Sequence, residues 1–151
     1  MIQLFTELQE KKNVRSNLSA LRASLKEATE EQKAQAIEFV RGHEDLVFGF
    51  LQEEDAKTRK NAALLLGDLA VQNALQPLWK AYTREQTLFV KSAYLEAMKA
   101  LHAEEILSQL KDRLAELEGE PVTEENRKHW EAELRALRAI LIQYEGIDTH
   151  H

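Results

Sequence analysis

The stretch 55-DAKTRKNAALLLGDLAVQNALQPL-78 decides how this chain is read. An Asp stands at its head, Arg59 follows four residues later, and the next turns are built of Ala and Leu. Gly67 then interrupts an otherwise good helix, at a cost of about 1 kcal/mol against Ala. A second helical pattern begins soon after, with Pro77 in its first turn, where the missing N–H of proline does no harm. A glycine kept inside a wide apolar helix surface points to a neighbour that packs very closely there.

Outward from this stretch the same residue types recur 32 positions on. Arg59 falls on Lys91, Ala63 on Leu95, Leu66 on Met98 and Leu69 on Leu101, and the register continues with Leu75 on Leu107 and Leu78 on Leu110. Two helices repeated at a fixed period are the signature of an α-solenoid, in which each pair buries its apolar stripe against its neighbours. Towards the N-terminus, EEQKAQAIEFVRGHEDLVFGFLQ carries the same pattern at a shorter period.

Apolar spacing near 3.6 predicts helices near 2–11, 13–27, 30–41, 44–52, 55–71, 74–83, 87–102, 104–118 and 123–145. Gly42, Gly119 with Pro121, and Gly146 stand where helices should stop. Short connections force neighbouring helices antiparallel. Thr123 is the expected cap of the last helix, which would run roughly 33 Å at 1.5 Å per residue. The expected organisation is one all-α domain over 1–146 with a tail at 147–151.

The composition agrees with this. The chain has 151 residues, 44% of them apolar and 30% charged, a mixture that suits a folded helical protein with a real core. With no Cys, disulfides and thiolate metal sites are excluded. The N-terminal residues lack the basic and apolar regions of a signal peptide, and no apolar run reaches membrane-spanning length, so a soluble cytoplasmic protein is expected. The net charge of −6 argues against nonspecific nucleic-acid binding by the whole chain. It is unevenly spread, −3 over 1–54, +3 over 55–99 and −6 over 100–151.

LQPLWKAY with Pro77, and TLFVKSAYLEAMKAL with Val90, Lys91, Ala93, Ala97 and Leu101, resemble one unit of the HEAT repeats, α-solenoids akin to the armadillo type. Asp55, Arg59, Ala62, Leu66 and Leu69 supply the corresponding turn and second helix of the unit before. Thr58 stands where the pattern has Val, and Thr87 where it has Asp. The resemblance is good over 44–110, weaker over 1–43, and lost after Gly119. It implies a right-handed stack of antiparallel helix pairs, with a long last helix added, and identifies a fold rather than a function.

In such a stack a second helix touches its own partner and both neighbours. Helical spacing puts Ala62, Leu65, Leu66 and Leu69 on one flank, and Ala63, Gly67 and Ala70 on a small-residue flank where a neighbour can come close. The remaining side forms a ridge with Lys57, Lys60, Asn61, Leu64 and Asp68, continued 32 residues on by Phe89, Ser92, Ala93, Glu96 and Ala100. Lys57, Lys60, Asn61, Leu64, Phe89 and Glu96 are the expected contacts for a protein or peptide partner. A second reading makes the chain the leading, substrate-positioning domain of a larger enzyme, for instance an RNA methyltransferase, with phosphates held by Lys57, Arg59, Lys60, Arg84 and Lys91.

No catalytic constellation emerges, and no cofactor or metal is expected. There is no G-x-S-x-G elbow, no phosphate-cradling glycine loop and no H-E-x-x-H. The pair His43-Glu44 stands alone, whereas HEAT-like hydroxylases resembling deoxyhypusine hydroxylase bind two irons through several such pairs. HEAT-like DNA glycosylases hold DNA on a basic concave surface, which an acidic chain does not supply. His102 is isolated, and His129 lies four residues from Glu125 and from Glu133, a helix-face His–carboxylate contact in prospect. His150-His151 reads either as native or as the start of a tag.

Overall fold

The computed structural model describes residues 1–144; Gly146, the tail at 147–151 and His150-His151 lie outside the described residues. Capping chemistry starts several helices. Before α3 (Glu30–Gly42), the Thr29 hydroxyl accepts from the Gln32 N–H at 3.1 Å, and the Gln32 side chain accepts from the Thr29 N–H at 3.0 Å. Before α5 (Ala56–Asp68), the Asp55 carboxylate accepts from the Thr58 N–H at 3.0 Å and the Thr58 hydroxyl at 2.8 Å. Thr58, a departure from the repeat pattern, thus reinforces the cap, and its hydroxyl is the main reason the Asp55 pKa is lowered.

The remaining helices are α1 (Ile2–Gln9), α2 (Val14–Leu25), α4 (Glu44–Gly49), α6 (Leu75–Arg84), α7 (Leu88–Ala100), α8 (Leu107–Gly119) and α9 (Arg127–Leu141). Short 3-10 turns extend α4 over Phe50–Gln52 and precede α6 and α8 at Gln72–Ala74 and Ala103–Ile106. All regular structure among the described residues is helical. Pro77 occupies the third position of α6, as the sequence predicts.

Helix pairs form where connections are short: α1 on α2, α6 on α7 and α8 on α9. The second members also touch one another in series, α2 on α5, α5 on α7, and α7 on α9, with α5 on α7 the most extensive. One apolar core runs through this row, from Leu8 and Leu18 through Leu66 and Met98 to Leu137. The α5–α7 contact answers the question raised by Gly67. A Cβ placed on it would lie 2.9 Å from the Ala97 Cα, closer than real Cβ atoms come, so only glycine lets α7 approach this far.

Two expectations need correction. The helix predicted over 55–71 stops at Asp68, because Ala70 takes a left-handed φ of 51°. The Val71 N–H then reaches the Leu66 carbonyl and the Ala70 N–H the Gly67 carbonyl, both at 3.0 Å, closing a Schellman turn. Ala70 therefore ends the helix and is exposed, instead of extending the small flank.

The last helix is also shorter than expected. Thr123 and Asn126 exchange reciprocal side-chain to backbone bonds at 2.7 and 3.3 Å, which close a turn ahead of the helix; regular helix begins at Arg127 with Asn126, not Thr123, at its N-cap. Its 15 residues span about 22 Å. Leu134, Leu137 and Ile140 face the core, while Lys128, Glu131, Arg135 and Arg138 are exposed. One side of α9 thus completes the core and the other meets solvent.

Candidate functional site

Three ion pairs step across the row of second helices. Arg15, near the start of α2, reaches Asp55 at 3.4 Å; Arg59, in α5, reaches Glu85 at 2.9 Å; Lys91, in α7, reaches Glu133 at 3.3 Å. In each step a cation in the first turns of one helix meets a carboxylate carried by the next helix or the turn before it. Arg59 and Lys91, matched by the 32-residue offset, therefore do matched work.

The two later steps are largely buried. Glu85, only 8% exposed, takes both arms of the Arg59 fork at 2.9 Å, the Tyr94 hydroxyl at 3.1 Å and the Thr87 N–H at 3.2 Å. A third Arg59 nitrogen donates to the carbonyls of Glu53 and Glu54 at 2.7 and 2.8 Å. Burial by itself would raise the Glu85 pKa; Arg59, Thr87 and Tyr94 outweigh it, and the pKa is lowered. The Tyr94 hydroxyl is pushed up, first by burial and then by the Glu85 charge.

Glu133, 6% exposed, sits in a second such knot. Arg113 of α8 grips it at 2.9 and 3.2 Å, Lys91 approaches at 3.3 Å, and the Tyr82 hydroxyl of α6 donates a short hydrogen bond. Lys91 also lies over the Tyr82 ring, 5.6 Å from its centroid. Burial again opposes ionisation of Glu133, and Arg113, Tyr82 and Lys91 together leave its pKa lowered. One carboxylate thereby ties α6, α7, α8 and α9 together.

These bonds divide the expected site residues. Arg59 and Lys91, expected to hold phosphate, spend their charges on Glu85 and Glu133; Lys57 and Arg84 are exposed and Lys60 half-buried. Among the expected partner contacts, Lys57, Phe89 and Glu96 are exposed and Leu64 and Lys60 half-buried, but Asn61 is buried, because α2 and α7 flank α5. Ala93 is buried too, on α7 with α5 and α9 packed against it, and Asp68 is paired with Arg22 at 2.8 Å.

The histidines also resolve. The His43 Nδ1–H donates to the Phe39 carbonyl at 2.8 Å, so Nε2 accepts from the Gln9 amide at 2.6 Å, and the ring stacks on Phe39. Glu44 accepts from Asn73 at 3.2 Å. His129 is exposed, and Glu133 turns away from it into the core. Among the described residues no three His, Asp or Glu side chains are grouped to share a metal ion, and no helix is long and apolar enough to cross a membrane.

A cleft of about 850 Å³, not foreseen from the sequence, opens between the end of α4 with the turn after it and α6. Phe48, Leu51, Pro77 and Ala81 give it apolar walls; Arg59, Glu85 and Tyr94 close its base. None of Lys57, Lys60, Leu64, Phe89 and Glu96 lines it. Sequence spacing shows which face of a helix is apolar, but a cleft between two helices depends on how far apart they are held. Glu133 was more legible: three residues after Trp130 and four before Leu137, it lies on the apolar face of its helix. No family model, curated protein or solved structure matches this chain.

Proposed function

We propose that the chain is a short right-handed α-solenoid of HEAT-like pairs, a non-catalytic scaffold that holds a protein or peptide on the ridge of its second helices. The serial contact of α2, α5, α7 and α9, and the matched Arg59 and Lys91 steps, support the architecture. The observation that carries the binding reading is Phe89, 46% exposed at the start of α7 and on the same helix face as Glu96. A half-exposed aromatic, with a half-buried Leu64 on the preceding second helix, is the composition of a recognition surface.

Both side chains face solvent at least in part, so L64S/F89S should keep the helical circular dichroism of the parent. In affinity capture from extract, the partner retained by the parent chain should be lost with L64S/F89S. Retention of the same partner by this variant would place binding elsewhere on the molecule.

A further inference from the structure

We infer that the cleft between α4 and α6 is a second binding site, separate from the ridge, for an extended peptide segment of mixed charge. Three carboxamides line it, Gln52, Gln76 and Gln86, and none has a side-chain hydrogen bond among the described residues. Each offers donors and an acceptor together, which is what the N–H and C=O of a peptide backbone require and a phosphate does not. Phe48, Leu51 and Pro77 provide an apolar seat for a side chain between them.

Charge fixes the rest of the chemistry. Lys80 and Arg84, one turn apart on α6, are exposed and have no ion pair among the described residues. Glu53 and Glu54, from the turn after α4, are likewise exposed and without an ion pair. The base adds no net charge, because Arg59 and Glu85 neutralise one another. A polyanion would meet the two glutamates as well as the two cations. A segment with an acidic residue for Lys80 and Arg84, a large apolar residue, and a basic residue for Glu53 and Glu54 meets every group with its complement. The volume lies within the range of ligand-binding clefts.

A random peptide library displayed on phage, selected in parallel on the full chain and on K80E/R84E, tests this. The parent should enrich peptides with an acidic residue near a large apolar one, and K80E/R84E peptides with a basic residue in its place. By fluorescence anisotropy, a peptide selected on the parent should lose affinity for K80E/R84E by about tenfold, as expected for one charge-assisted bond. It should keep its affinity for L64S/F89S, which separates this site from the ridge. Circular dichroism checks that both variants are folded. No enrichment, or a selected peptide indifferent to K80E/R84E, overturns the proposal. So does binding of poly-uridylate that depends on Lys80 and Arg84 and exceeds peptide binding at about 0.15 M salt, which would make the cleft a phosphate site.

Discussion

At the scale of the residue, Gly67 and Ala70 have exchanged the places their chemistry would suggest. Glycine ordinarily ends a helix, in the left-handed position that costs an L-residue about 1–2 kcal/mol. Here Ala70 bears that conformation at φ 51°, while Gly67 sits in the helix against Ala97. Gly67→Ala should therefore destabilise the chain although Ala is the better helix former, because its Cβ would press on backbone that cannot rotate aside. Gly67→Leu should cost more, about 1–3 kcal/mol. Ala70→Gly should raise stability by about 1 kcal/mol by removing the left-handed penalty. Thermal unfolding of the three variants checks both signs; a higher melting temperature for Gly67→Ala would overturn the close-approach account. The wide apolar surface around Gly67 was legible from spacing alone. The conformation of Ala70 was not, since nothing in its side chain asks for a positive φ.

At the scale of the element, helices are tied across the row by buried carboxylates, and their titration gives an acid dependence. Glu85 and Glu133 have pKa values below the ordinary 4.5 in the folded chain. As pH falls below about 4.5 the unfolded chain takes up these protons first, so unfolding binds protons and stability falls. The contribution is complete above that pH and lost as pH drops through the lowered folded values. Urea midpoints measured from pH 7 to pH 2.5 should show this fall. Glu133→Gln should cost about 3 kcal/mol at neutral pH, since it takes the buried counter-charge from Lys91 and leaves Arg113 only its more exposed partners Glu116 and Glu120. It should also flatten the acid profile; an unaltered profile would mean that Glu133 titrates alike in the folded and the unfolded chain.

At the scale of the molecule, the row from α2 to α9 shares one core, and Glu133 links its last four helices. The two tryptophans, Trp79 on α6 and Trp130 on α9, report from the middle and the end of the row. Single-tryptophan variants, W79F and W130F, should unfold in urea at coincident midpoints once each is referred to its own circular dichroism transition. Separate transitions would show an end pair that opens alone. The outer face of α9 is polar, with Lys128, Glu131 and Arg135 exposed.

The sequence by itself determined the helical class, the placing of the helices to within a few residues, the first-turn position of Pro77, and the need for a close neighbour at Gly67. All of these depend on interactions within a turn or two of helix, or on a side chain too small to hide its purpose. Only the tertiary structure decided that Arg59 and Lys91 are consumed by Glu85 and Glu133, that Asn61 is buried, and that a cleft opens beside α6. Arg59 is 26 residues from its carboxylate and Lys91 is 42 residues from its own. A charge that faces water and one that faces a buried counter-charge read alike along the chain; the packing of distant helices makes them different.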